Sequence, residues 1–157
     1  MSTLHANAMM PPNAVAVDRR DKPRAALVVY RYLLGEPHFL LIGSRRDPSR
    51  LTLPGGKVAR SERPMDTAIR ETLEESGVLT LLPSALGQYL HRKQSGTVHP
   101  TRTYLARFAG YRADHEPRKL YWLTPSEIAS AEQAVQPAIR EHLARAAERL
   151  PTLIAAG

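Results

Sequence analysis

The chain of 157 residues contains no cysteine. Disulfide bonds, thiolate metal centres and a cysteine nucleophile are therefore excluded, and the cysteine-free composition suits a reducing cytoplasm, the expected location. No apolar run approaches the roughly 20 residues that a membrane-spanning helix needs, so no membrane partner is expected. The first residues, MSTLHANAMMPPNAVAVDRRDKPR, hold no continuous apolar stretch, and a secretory signal is not expected. Acids are in short supply as well: 15 Asp and Glu against 22 Lys and Arg give a formal net charge of +7, with a pI of about 10.1. Such an excess attracts polyanions, whether nucleic acid, a membrane surface or phosphorylated small molecules. Charge alone does not choose among them.

What is present is ordinary for one globular domain: 43% hydrophobic and 24% charged residues. Residues 1–23, with Pro11, Pro12 and Pro23, read as an irregular N-terminal arm, and residues 24–157 as the domain. AALVVYRY (25–32) and FLLIGS (39–44) read as paired strands, RRDPSR (45–50) as a turn, and LTLPGG as a short strand ending at a glycine pair. Pro64 to Ser76 reads as a helix, with proline in its first turn, Asp66 near its positive end and Gly77 at C′; Arg63 makes a poor N-cap. Further strands are expected at 78–82, 85–93, 102–110 and 120–124. TPSE (124–127) is a capping box opening a short helix, and a last helix is expected from Pro137 to Leu150. Strands with interspersed helices suggest an α/β domain with a mixed sheet.

In this basic chain the acids gather at one place. On the helix over 68–76, Ala68, Ile69, Thr72, Leu73 and Ser76 form a packing face, while Glu71, Glu74 and Glu75 form an i, i+3, i+4 triangle on the other side. Like charges at those spacings cost about 0.2–0.5 kcal/mol per pair, offset in part by Arg70 opposite Glu74. The triangle is either a solvated face or a seat for a hard divalent cation, which takes one or two carboxylates and keeps water and phosphate oxygens for the rest.

Gly56, Glu62, Arg70-Glu71, Glu74-Glu75 and Gly77-Val78, at these spacings, are similar to the signature of the Nudix hydrolases. Val78 apart, these are seven fixed identities, which at usages of about 5–7% each coincide roughly once in 10⁸ to 10⁹ trials, and this removes the solvated-face reading. Thr72 departs from the aliphatic residue usual in the family. The resemblance implies an α/β/α sandwich and Mg²⁺-dependent (or Mn²⁺-dependent) cleavage of a substituted diphosphate. By position, Glu71, Glu75 and the Gly55 carbonyl would hold metal, Glu74 would accept the proton of the attacking water with Glu71 and Glu74 serving both roles, and Glu62 and Arg70 would pair to hold the loop on the helix.

The flanks PRAALVVYR, LLIGSRRDPSRLTLPGGKV, RTYLARF and RKLYWLTPSEI resemble the diphosphoinositol polyphosphate phosphohydrolases, a subgroup that also cleaves diadenosine polyphosphates. By position, Arg24, Ser44, Arg46, Arg50, Gly56, Lys57 and Lys119 would meet substrate phosphates, which arginine forks and lysine ammonium groups suit. RKQSGTVHPT (92–101) reads as a longer loop than the subgroup's. Tyr104, Tyr121 and Trp122 are either core residues or base-stacking platforms, and His99 and His115 are candidates for a pocket rim. The expected partner is a phosphorylated small molecule rather than nucleic acid. The alternatives are a nucleotide-sugar, ADP-ribose or nucleoside-triphosphate pyrophosphohydrolase, and a Nudix-fold module that binds nucleotide or RNA without turnover.

Overall fold

The computed structural model describes residues 23–92, 95–113 and 119–156, with side chains described to Leu150. Residues 1–22 of the N-terminal arm, Lys93, His115 and Arg118 lie outside the described residues. Strands β1 (Arg24–Leu33), β2 (Glu36–Gly43), β3 (Leu51–Thr52) and β4 (Gly55–Lys57) precede helix α1 (Pro64–Ser76). Strands β5 (Val78–Arg92), β6 (Val98–Tyr111) and β7 (Leu120–Leu123) follow, then helices α2 (Pro125–Ser130) and α3 (Pro137–Ala156).

The sheet runs β3-β2-β1-β6-β5, with β4 paired to β1 and β7 to β2. It is mixed, because β1 and β6 are parallel while the other strand pairs are antiparallel. A parallel pair at the centre of a sheet is covered on both faces, which explains the unbroken apolar run of β1. Successive side chains alternate. Ala25, Leu27 and Val29 join Leu40, Ala68, Val78 and Ala106 in one core, while Ala26 and Val28 join Phe39, Leu41, Ile139 and Leu143 in the other. Helix α1 covers the first face and α3 the second, giving the expected α/β/α sandwich.

Several boundaries differ from the sequence reading, each for a local reason. The glycine pair starts a strand instead of ending one, since Leu53 and Pro54 separate β3 from β4. The two expected strands at 78–82 and 85–93 are one strand, irregular where Leu82 takes φ 54 and the register shifts. Much of the expected 92–101 loop is strand, for Leu90 to Arg92 pair with Pro100 to Val98. The last helix continues to Ala156. Along α1 the buried side chains are Thr67, Ala68, Thr72 and Ser76. Thr72 Oγ1 donates to the Ala68 carbonyl at 2.7 Å and Ser76 Oγ to that of Thr72 at 2.5 Å, so these hydroxyls are buried with partners on their own helix.

Both ends of α1 match their sequence signals. Arg63 stands at the N-cap without a side-chain cap, its guanidinium on Asp66 at 2.9 Å, and the Gly77 N–H closes the C-terminus on Leu73 O at 2.9 Å. At α2 both bonds of the capping box form: Glu127 N donates to Thr124 Oγ1, and Thr124 N to Glu127 Oε1.

The β1–β2 hairpin turns through Leu34 (φ 52) and Gly35 (φ 79), between the paired Leu33 and Glu36. Two positive φ values define a type I′ turn, in which Asn-Gly is the favoured pair. Leu34 instead carries a branched side chain in the left-handed region, fully exposed. Replacing it with asparagine is expected to stabilise the protein by about 1 kcal/mol, read as a higher urea midpoint at unchanged slope. A lower midpoint would refute the assignment of strain to this turn.

Candidate active site

The strand registers bring distant basic residues to one end of the sheet. β1 and β2 pair from Tyr30↔Phe39 to Leu33↔Glu36 and then separate. β4 lies beside β1 at Arg24↔Lys57, Ala25↔Gly56 and Ala26↔Gly55, and β3 lies beside β2 at Ile42↔Thr52 and Gly43↔Leu51. Two short strands thus fill the split. Ile42 also pairs with Leu120, which puts Lys119 level with the end of β2 and the 44–50 loop. Arg24, Ser44, Arg46, Arg50, Lys57 and Lys119 all belong to this end, and Thr101 of β6 faces Arg24 there.

Helix α1 reaches the same place through the glycine strand. The Gly55 N–H donates to Glu75 Oε1 at 3.0 Å. A Cβ at Gly55 would fall 2.3 Å from the Ala25 carbonyl oxygen, and one at Gly56 would fall 2.9 Å from the Glu71 carboxyl carbon. Backbone and carboxylates approach this closely only because neither position carries a side chain. Glu71 and Glu75 are therefore half-buried against the strand, and Glu74 is the exposed member of the triangle.

Arg70 organises the acids. Its Nε and Nη2 each lie 2.8 Å from a Glu62 oxygen in a bidentate fork, the geometry to which guanidinium is best matched. Its Nη1 donates to Glu71 Oε1 at 3.2 Å and to both Glu74 oxygens at 3.2 and 3.1 Å. Thr67, fully buried, donates its hydroxyl to Glu62 Oε1 at 3.0 Å. Sequence reasoning missed Thr67, since nothing distinguishes it from any threonine in a first turn. The Arg70 bonds, aided by Thr67, hold the Glu62 carboxyl below the usual carboxylate range, although partial desolvation opposes them. The Arg70 guanidinium is raised, first by Glu62 and then by Glu74.

The expected phosphate contacts differ in how firmly they are held. The Ser44 N–H donates to Arg50 O at 2.7 Å, and Asp47 braces the loop by accepting from Ser49 N at 3.1 Å. The Arg46 and Arg50 side chains are exposed, with Arg50 Nε 3.9 Å from Asp47. Lys119 Nζ lies 5.7 Å from the Tyr121 ring centre, and Lys57 is exposed. Arg31 is held elsewhere, its guanidinium 4.5 Å from the Phe108 ring and 5.1 Å from that of Trp122. Tyr104 and Trp122 pack on the α1-side core and Tyr121 on the α3-side core. His99 is buried and so lines no rim.

Among the described residues no three acidic or imidazole side chains converge into a ready-made metal cage. The donors do fit a hard cation that needs one or two carboxylates and draws its other oxygens from water and phosphate. Glu71 and Glu75 stand half-buried beside β4 and would be the carboxylates available to such an ion.

Residues 12–150 match the NUDIX domain family. The chain is 31% identical over 127 residues to diphosphoinositol polyphosphate phosphohydrolase 3-beta of Bos taurus, covering 78% of this chain and 76% of that protein. Its fold is similar to a NUDIX hydrolase from Nitrosomonas europaea, with a TM-score of 0.66 at 20% identity over 80% of this chain and 87% of that one. It is also similar to a C. elegans Ap4A hydrolase in a binary complex, with a TM-score of 0.61 at 22% identity over 85% and 99% of the two chains. The glycine strand, the acidic helix and the Glu62–Arg70 fork thus belong to a hydrolase of acid anhydrides. The chain is a member of the Nudix family.

The lowered Glu62 pKa makes a prediction about acid stability. A carboxylate with a depressed folded-state pKa contributes stability above its ordinary value of about 4.5, and loses it as pH falls through the depressed value. Glu62→Gln is therefore expected to lower stability at pH 7 and to flatten its decline below the ordinary glutamate range, measured by urea unfolding across a pH series. Parallel curves for the two proteins would refute the pairing.

Proposed function

We propose that this Nudix hydrolase cleaves a diphosphate bond in a phosphate-rich substrate, a diadenosine polyphosphate or an inositol pyrophosphate, with Mg²⁺ as cofactor and Mn²⁺ as a substitute. The domain at 24–157 would act in the cytoplasm. The observation that carries this reading is the meeting of the acidic face of α1 with exposed arginines and lysines at the split end of the sheet. The bovine relative's name supports an inositol pyrophosphate, and the C. elegans neighbour's fold is compatible with a dinucleoside polyphosphate.

Glu71, Glu75 and the Gly55 carbonyl would hold the cation. When bound there, a divalent ion neutralises phosphate charge and acidifies water. Glu74 is the exposed carboxylate, within hydrogen-bond reach of Arg70, and suits the acceptance of a proton from water arriving with the substrate. Arg70 and Glu62 would keep the helix and its preceding loop in register. Arg24, Ser44, Arg46, Arg50, Gly56, Lys57 and Lys119 would bind and orient the phosphate chain.

Two variants test the carboxylate roles. Glu75→Gln retains an oxygen to accept the Gly55 N–H while losing its charge, so the fold should survive while hydrolysis falls by orders of magnitude. Glu74→Gln should lower turnover about 10²–10⁴-fold with less loss of metal affinity. Wild-type rates in both would refute the assignment.

Substrate length is tested at Arg50. A charge-assisted contact contributes about 1.5–3 kcal/mol, so Arg50→Ala should raise KM about tenfold or more for diadenosine pentaphosphate or an inositol pyrophosphate, and much less for ADP-ribose. Equal losses on both, or rapid ADP-ribose turnover beside negligible polyphosphate turnover, would favour a compact substrate.

A further inference from the structure

A second concentration of basic side chains lies away from the acidic helix, where α3 crosses the outer strand β5. The register of β5 against β6 shifts between Ala85 and Gly87, and Gly87 presents no side chain toward the helix. A cleft of about 490 Å³ opens there, bordered by Leu86, Gly87, Gln88, His142, Arg145 and Arg149. Such a volume is in the range of small-molecule sites and exceeds what a bare oxyanion fills. His142, Arg145 and Arg149 stand at i, i+3 and i+7, one stripe of α3.

The walls are fixed by identifiable contacts. His142 is buried, its Nε2 2.6 Å from Thr103 Oγ1, and its Cε1 lies 3.6 Å from where a Gly87 Cβ would stand. Arg149 Nη1 donates to the Leu86 and Ala85 carbonyls at 3.2 and 3.4 Å, which ties its guanidinium to the bulged strand. Burial and the neighbouring Arg145 lower the His142 pKa, so at neutral pH the ring offers a flat uncharged wall. Glu148 also borders the cleft and moderates the charge of the two arginines. Strands β1 and β6 separate this cleft from β4, and α3 and α1 lie on opposite faces.

We propose that the cleft between β5 and α3 is a second anion-binding site that takes a small organic phosphate, its phosphate on Arg145 and Arg149 and its body against Leu86, Gln88 and His142. Guanidinium forks recognise phosphate oxygens in two-point contacts, and the apolar and aromatic wall accounts for an organic body. The site does not depend on the hydrolase reading.

The test is NMR titration of the full-length protein, labelled with ¹⁵N and ¹³C and kept free of divalent metal, with AMP and with inorganic phosphate as probes. AMP at millimolar concentration should shift the His142 ring and the Gly87 amide, and inorganic phosphate should do so more weakly. Arg145→Ala should weaken the AMP response about tenfold or more, with Arg145→Gln as the second variant if alanine disturbs the helix, while either variant retains hydrolysis. Arg50→Ala should leave the response unchanged. No shift at His142 and Gly87, or an undiminished one in the folded Arg145 variant, would overturn the site. Equal affinity for the two probes would overturn the organic body.

Discussion

The arrangement of this protein's chemistry depends on how one guanidinium is shared. Arg70 commits two nitrogens to Glu62 at 2.8 Å each and leaves Nη1 to Glu71 and Glu74 at 3.1–3.2 Å. The fork is the shorter and geometrically better half, and it joins the loop after β4 to the middle of α1. With that loop fixed, Gly55 and Gly56 lie along the helix, and the carboxylates of Glu75 and Glu71 meet main chain instead of side chains. Lysine at this position would keep the charge but not the two-point match.

The division within the Arg70 contacts bears on how a cluster of acids survives on one helix. Glu71, Glu74 and Glu75 repel one another at short spacing, and Nη1 compensates two of them while the Gly55 N–H compensates the third. None of these contacts buries the set completely. The carboxylates are thus restrained in direction while remaining partly accessible. The surplus of basic residues at the same end would raise the local concentration of anions, an attraction that salt screens over about 10 Å at 0.1 M.

Much of this was legible in the sequence because the signals were local. The bounds of α1 followed from Pro64 and Gly77, α2 from the capping box at Thr124, and the acidic triangle from helical spacing. The candidate site residues could be named from the motif, but the place where the strands bring them together could not. That Lys119 lies level with the 44–50 loop is a consequence of β2–β7 register, which no local pattern encodes. Thr67 and the cleft at Gly87 were missed for a related reason, since each is defined by a tertiary partner, Glu62 in one case and His142 in the other. Arg31, at the far end of β1, is likewise defined by tertiary partners, its guanidinium lying over the Phe108 and Trp122 rings.

The irregularities of β5 also have a physical logic that the alternation of its side chains conceals. It is the last strand of the sheet order, and Leu79, Leu81, Leu82 and Leu90 are exposed along it. A long, regular, apolar edge would invite another chain to pair with it. Here Leu82 turns the backbone to φ 54, Pro83 lacks an N–H, and the register against β6 shifts three times. Proline and bulges at an edge interrupt the row of donors and acceptors that an incoming strand would need. The same shift near Gly87 re-aims the strand beneath α3, so the interruption that blunts the edge also shapes the cleft beside His142.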